Sequence, residues 1–497
     1  MRHQLYLSKT KYCKSVQCPK ILWLDQYKPE YAIETAKDSV LETGTEVGEL
    51  ARNLFGLYQN VEFNKDLNIM IEKTKQLLNQ KPNIITEASF KYQNNFCSID
   101  ILKNDLDGLT IYEVKSSTQI HDIYLDDISY QVYILKNLGY SIKSANIIYL
   151  NSQYERKGSL ELDKLFTIKE VTDITLSKQL EISSRLKELS NLLNEKEPIK
   201  EIGIHCAIPY SCPYWNYCTS SLPKPNIFQI RNMQNKTKFK LYHQGIYQYK
   251  DLLTANINEK YKQQIEFELE NKDPFIDKQA IKEFLDTLTY PLYFLDFETY
   301  QQAIPEYDGV RPYMQIPFQY SLHYIEKKKG SLLHKEFLAE SGIDPRRTLA
   351  SQLVKDIPKN ACILAYNMSF EKTVIKNLAK LYPNLKEHLL NIHDHIKDLM
   401  IPFLNRKYYF KEMKGSYSIK YVLPALFPND PALDYHNLEK IHNGSEAMTE
   451  FANLSQKSIQ EQQEIRTCLL EYCKLDTYAM VKIWEKLEAI ISETKNT

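Results

Sequence analysis

Asp296 and Glu298 stand one residue apart at the end of the apolar run Tyr293-Phe294-Leu295. In a strand, residues two apart point to the same face. Two carboxylates on one buried face repel each other and lose hydration unless a cation lies between them. All-oxygen donors of this kind suit Mg²⁺ or Mn²⁺. Two further pieces follow: Asn367-Met368-Ser369-Phe370-Glu371, and Tyr472-Cys473-Lys474-Leu475-Asp476. Tyr472 and Asp476 are four apart and share one helix face, so the phenol can direct a water beside an ion held by the aspartate.

A second set lies far upstream. Asp100 falls near the end of one strand pattern, and Glu113-Val114-Lys115 lies on the next, with Glu113 and Lys115 on one face. A hairpin can bring Asp100 beside them. Two carboxylates and a lysine make a metal site with a cation able to orient water or to stabilise developing phosphorane charge. A third set is made of sulfur. Cys206, Cys212 and Cys218 are each separated by five residues, among Pro209, Pro213, Tyr214 and Trp215, and Cys18 stands alone in Gln17-Cys18-Pro19-Lys20. Thiolates held close together need a soft metal or a disulfide.

These motifs resemble known families. Asp296, Glu298, Glu371, Tyr472 and Asp476 resemble the three motifs of DnaQ-like, DEDD-type 3′→5′ exonucleases, with Glu371 where the family usually has Asp. The resemblance implies a mixed-sheet RNase H-like domain, two Mg²⁺ or Mn²⁺ ions held by Asp296, Glu298, Glu371 and Asp476, and metal-assisted phosphodiester hydrolysis with Tyr472 positioning the water. Asp398 and Gly415-Ser416-Tyr417-Ser418-Ile419-Lys420 look like features that shape the substrate side. The upstream set resembles RecB-like PD-(D/E)XK nucleases. There Glu87, Asp100 and Glu113 correspond to metal ligands, and Lys115 and Gln131 to catalytic residues. The family's early histidine in a Gly-x-x-x-His pattern is replaced by Gly48 after Gly44, with Glu49 beside it. Cys18, Cys206, Cys212 and Cys218 resemble the [4Fe–4S] staple of CRISPR-associated RecB-like nucleases, with Zn²⁺ as the rival metal. The whole chain resembles bacterial fusions of these parts. It is expected to be a DNA nuclease of repair or defence, with RNA also possible as substrate. The alternatives are an RNA exonuclease or a nucleic-acid-binding adaptor whose sites have decayed.

These sites must be carried by several elements. A chain of 497 residues exceeds one ordinary core. The expected organisation is α/β and multidomain: a RecB-like core with its staple over 1–220, a polar helical linker over 221–288, and an RNase H-like domain over 289–497. Alternation predicts a hairpin of Phe90–Gln93 and Phe96–Ile101 about Asn94-Asn95, then a strand at Leu109–Val114, a helix at Asp127–Leu138 and a strand at Ala145–Leu150. Helical spacing covers residues 1–40, 45–80 and 175–195. Leu241–Leu253 resembles a helix-hairpin-helix, although an ordinary glycine helix stop reads better. Later strands are expected at Tyr293–Glu298, Pro317–Tyr324 and Cys362–Tyr366, and helices near 347–356, 369–381 and 457–493. Sixty-three basic residues balance 63 acidic ones, so a nucleic-acid groove must be a local patch. No apolar run spans a membrane and no signal-peptide core opens the chain, which points to the cytoplasm. Nine cysteines in such a setting speak against a disulfide framework.

Overall fold

The computed structural model describes residues 6–33 and 38–492. The expectation of helix over residues 1–40 lies partly outside them. Within them, helices Lys9–Gln17 and Pro19–Tyr27 are present, and Asp38–Arg52 follows. The chain is an α/β protein of two compact units. One comprises the residues up to Leu222 together with Gln302–Tyr313, and the other comprises Pro223–Gln301 with the residues from Met314 onward. No helix among the described residues is long and apolar enough to cross a membrane.

The first unit is built on a six-stranded mixed sheet in sequential order. Its strands are β1 (Gln59–Asn60), β2 (Ile84–Tyr92), β3 (Asn95–Asp105), β4 (Gly108–Lys115), β5 (Ile142–Leu150) and β6 (Phe166–Glu170). Pairs β2–β3, β3–β4 and β5–β6 are antiparallel, whereas β4–β5 is parallel. The Asp122–Asn137 helix makes the crossover between β4 and β5, the usual device for joining parallel neighbours. The β2–β3 turn is Gln93-Asn94, one residue earlier than expected, because Tyr92 pairs with Asn95 and Gln93 takes a left-handed φ of 54°. The helix expected over 175–195 is broken into Thr172–Ser177, Gln179–Ser190 and a short 3₁₀ turn. Helical spacing over 45–80 likewise hides strand β1 between Asp38–Arg52 and Leu67–Gln80.

The second unit carries β7 (Phe275–Ile276), β8 (Leu292–Tyr300), β9 (Ile316–Ile325), β10 (Leu333–Leu338), β11 (Cys362–Ala365), β12 (Ile396–Asp398) and β13 (Tyr408–Tyr409). Its five-stranded sheet has the order β10-β9-β8-β11-β12, antiparallel on the β9 side and parallel toward β12. Strand β8 is central and buried along both faces, as a doubly covered strand must be. The Ile459–Ser492 helix lies on the sheet. Its placement is set by polar contacts that β9 buries: Gln319 donates to the Leu469 carbonyl at 2.8 Å, and the Ser321 hydroxyl and His323 Nδ1 meet the Thr477 hydroxyl at 2.7 and 2.8 Å.

Residues 223–288 fall within this second unit. β7 pairs with β13, and Phe267, Ile281 and Leu285 join the core that contains Phe294 and Leu364. In the Asn235–His243 and Tyr249–Thr254 pair, Gly245 has a left-handed φ of 80°, and Ile246 N–H returns to the Leu241 carbonyl at 3.0 Å. That is the glycine helix stop.

Candidate metal and carboxylate centres

Asp296 and Glu298 project from β8 toward the Ile459–Ser492 helix, which supplies Asp476. One carboxylate oxygen from each of these three residues lies within 4.8 Å of the others, the only such His, Cys, Asp or Glu grouping of three or more among the described residues. Burial, then the charges of Asp476, Glu298 and Glu371, push Asp296 well above the ordinary carboxylate range. Burial and Asp476 do the same to Glu298, with Lys420 opposing. Asp476 is raised to about 6 by burial, against the hydroxyls of Tyr435 and Tyr472 that favour its anion. Tyr435 donates to Asp476 Oδ1 at 2.6 Å.

Glu371, in the first turn of the Ser369–Leu381 helix, is 2 % exposed. Burial lifts it to about 8, and its Oε2 is buried without a hydrogen-bond partner. Glu371 lies outside the grouping of the other three carboxylates, although its charge reaches Asp296; a buried carboxylate oxygen without a partner is costly unless a cation or a proton meets it. Asp296, Glu298 and Asp476 form an acidic triad that could hold a hard divalent ion.

Asp398 is engaged by backbone. Its carboxylate accepts backbone N–H groups of Asn367, Met368 and Met400 at 3.0, 3.2 and 2.9 Å. It thereby fixes the turn from which Glu371 enters. Gly415, with φ 76°, packs where an added Cβ would fall 2.0 Å from Gln264 Oε1, so it serves packing. Lys420 does line a cavity of about 740 Å³, together with Tyr435, His436, His442 and Asn443. Gly444 borders Glu298, its Cβ position being 3.5 Å from Oε2. Tyr435 and this cavity went unforeseen, because no spacing links residues 420–443 to Asp476.

In the first unit, Asp100, Glu113, Lys115 and Gln131 do come together. Lys115 Nζ reaches Glu113 Oε1 and Asp127 Oδ2, both at 2.7 Å. Gln131 donates to Glu113 Oε2 at 2.6 Å and to Asp127 Oδ1 at 3.2 Å. Asp100 Oδ2 accepts the Val114 N–H at 2.7 Å. Two members escaped the sequence reading. Asp127 had a usable signal, being four residues before Gln131 on one face of the Asp122–Asn137 helix. Lys9 had none. Its Nζ lies 3.2 Å from Asp100 Oδ1 and 3.0 and 3.1 Å from the two oxygens of Glu113. Burial and the neighbouring Glu113 raise Asp100 to about 7. Burial works the same way on Glu113, but the ammonium groups of Lys115 and Lys9 outweigh it and hold Glu113 below its usual value.

Glu87 lies close enough for its charge to raise Asp100, but among the described residues it forms no ligand group with these carboxylates. It has a left-handed φ of 55°, rare for a residue with a side chain, and its carboxylate is paired with Arg52 at 2.8 Å. Gly48 leaves open space where a Cβ would be, and Glu49 is exposed. No third carboxylate therefore completes a ligand group around Asp100 and Glu113. The four hydrogen-bonding positions of Glu113 are already taken by Lys9, Lys115 and Gln131. As arranged here, the centre does not fit a divalent ion.

Cys18, Cys206, Cys212 and Cys218 line one small cavity, with Ile21, Leu24 and Tyr214. No three of them lie within 4.8 Å of each other. Burial raises the Cys206, Cys212 and Cys218 thiols, Cys212 to about 11. Cys97, Cys362, Cys468 and Cys473 are buried core residues.

A family model described as a domain of unknown function, DUF2779, matches residues 293–418. The chain is also 24% identical over 268 residues to an uncharacterized protein, UU173, of Ureaplasma parvum serovar 3. That match covers 50% of this chain and 38% of the relative, so the chain spans well under half the relative's length.

Proposed function

We propose that the chain is a metal-dependent nuclease acting on DNA, with a DnaQ-like, RNase H-like 3′→5′ exonuclease in its second unit and a RecB-like centre in its first. The observation that carries this reading is the convergence of Asp296, Glu298 and Asp476 beside the unpartnered Glu371 oxygen. Four carboxylates raised by burial, with Asp296 and Glu298 raised further by their acidic neighbours, are costly as a purely structural cluster, whereas the grouped Asp296, Glu298 and Asp476 suit a divalent ion. When bound, such ions activate water and stabilise the attacking and leaving oxygens of a phosphodiester.

The residues of the chain supply the rest. Asp296, Glu298, Asp476 and Glu371 would hold the ions. Tyr472 is 5 % exposed and bonds Asp476 from one turn away, so its hydroxyl is placed to orient a nucleophile at that carboxylate. Lys420 and the imidazoles of His436 and His442 line the neighbouring cavity, and offer cationic and hydrogen-bonding contacts to an entering phosphate. The 3′→5′ polarity rests on the resemblance of the motifs.

The cysteine reading is a [4Fe–4S] staple. A single zinc ion with sulfur at about 2.3 Å draws its thiolates to within about 3.8 Å of one another. What supports a shared group is that the four cysteines line one small cavity; in a cubane each of the four irons would take one thiolate.

The test is digestion of end-labelled single-stranded DNA and RNA by the full chain with Mg²⁺ or Mn²⁺. Release of 3′-terminal nucleotides, abolished by Asp296→Ala, is the expected result. A wild-type chain that binds no Mn²⁺ and cleaves neither polymer would leave the adaptor reading standing.

A further inference from the structure

Lys238, in the second unit, is a half-buried cation without a counter-ion. It stands on the Asn235–His243 helix, and its Nζ donates to the Phe228 carbonyl at 3.2 Å. An ammonium has three protons, and among the described residues no carboxylate meets this one. Burial, then the charge of Arg231, pull Lys238 below the ordinary ammonium range. Arg231 has no carboxylate either: its guanidinium donates to the Tyr421 hydroxyl and lies over that ring, 4.7 Å from the centroid. Two cations that repel each other, one of them half-buried, are costly unless an anion comes from outside.

The pair belongs to a segment of one sign. From Pro223 to Lys250 the sequence holds six Lys or Arg and no Asp or Glu, in a chain whose charges balance. Lys236 and Lys240 are exposed and four residues apart, on one face of the same helix as Lys238. The fold fixes this segment beside Lys420. The Arg231 N–H donates to Gln264 Oε1 at 3.1 Å, and Gln264 packs on Gly415. Tyr421, beneath the guanidinium, directly follows Lys420, which lines the cavity of about 740 Å³ and whose charge acts on Glu298 and Asp476.

We propose that Lys238 and Arg231, flanked by Lys236 and Lys240, form a track for the phosphodiester backbone of a DNA strand whose end enters the cavity beside Lys420. The proposal deepens the nuclease reading and rests on it. A repeating polyanion matches a run of single-sign side chains, each cation meeting a phosphate without reading a base. The planar guanidinium, already held by Tyr421, is suited to grip a phosphate bidentately. Such contacts are made equally by substrate and transition state, so the track captures the strand and leaves the chemistry to the carboxylates.

The experiment is fluorescence anisotropy of the full chain with end-labelled oligo(dT) in chelator, titrated across NaCl concentrations, followed by hydrolysis in Mn²⁺. Lys238→Met should raise Kd several-fold, and Lys238→Arg should keep the wild-type value. Lys236→Gln with Lys240→Gln should reduce the salt slope by about 0.7 per lost contact, and this exposed pair stands in if Lys238→Met does not fold. Because Lys238→Met removes an uncompensated charge and keeps the apolar stem, its melting temperature should hold or rise while binding falls. In hydrolysis the loss should fall mainly on KM and shrink as the strand is shortened. Unchanged Kd and salt slope in all variants, with release of 3′-terminal nucleotides intact, would overturn the track and leave the nuclease reading standing. Strand binding that depends on Lys238, with no hydrolysis by the wild type, would keep the track and overturn the nuclease reading. Inorganic phosphate bound as tightly as the strand would make the pair a small-anion site and overturn the strand assignment; oligo(U) bound in place of oligo(dT) would overturn the choice of DNA.

Discussion

Tyr435 and Asp476 are 41 residues apart in sequence, yet the Tyr435 hydroxyl donates to Asp476 Oδ1 at 2.6 Å. This bond joins the wall of the 740 Å³ cavity to the carboxylate centre. Asp476 thus bonds two tyrosines, one from its own helix and one from outside it.

The two phenols should separate by experiment. Tyr435→Phe removes a bond that favours the Asp476 anion, so Mn²⁺ affinity should fall several-fold, with hydrolysis falling alongside it. Tyr472→Phe removes a group that orients a nucleophile, and should cost roughly 10²-fold in turnover with a smaller change in affinity. Calorimetry paired with single-turnover rates checks this; equal losses in both quantities for both variants would contradict the division of roles.

The pH dependence has a definite sign. Glu371 is raised to about 8 and Asp476 to about 6 in the folded, metal-free chain, above ordinary carboxylate values of about 4. A raised carboxylate binds protons more tightly when folded, so its contribution to stability is greatest at low pH and is lost as pH climbs from about 4 through the folded value. Metal-free protein should therefore lose stability between about pH 5 and 8, and Glu371→Gln should flatten that loss. Mn²⁺ competes with those protons, so its stabilisation should be larger at pH 8 than at pH 6. Thermal melts with and without chelator measure both effects.

The thiols give a compositional prediction. Anaerobically purified protein should be brown, with about four iron and four acid-labile sulfide per chain. Cys212→Ser should bleach it. Stoichiometric zinc without iron would replace the cluster with a zinc staple.

Gly415 tests whether residues 223–288 are integral to the second unit. Gln264 is pinned there by bonds to the Gln229 carbonyl, the Tyr249 hydroxyl and the Arg231 N–H at 3.0, 3.2 and 3.1 Å. Gly415→Ala would drive a methyl group into it and strain a left-handed backbone by about 1–2 kcal/mol. The unit's melting temperature should drop, and trimming Gln264 to Ala as well should restore part of it.

Local pattern was enough for the elements whose chemistry is written in neighbouring residues. The alternation around Asp100 and Glu113, the apolar run closing on Asp296 and Glu298, and the four-residue step from Tyr472 to Asp476 each follow from a period of two or of 3.6. Strand, hairpin and helix were legible there, and so was which carboxylates share a face. β10 and β12 were not, because one is a half-exposed edge strand of mixed pattern and the other is three residues long. The placement of Lys9, Asp127 and Tyr435 depended on long-range packing. Lys9 meets Glu113 across 104 residues because the first helix lies against the Asp122–Asn137 helix. Asp476 meets Asp296 because buried Gln319, Ser321 and His323 find partners on the long helix. Periodicity assigns a residue to a face, but only the buried polar contacts between elements choose which faces meet and in what register, and that choice decided whether each carboxylate set kept room for a metal ion or was filled by the chain's own lysine.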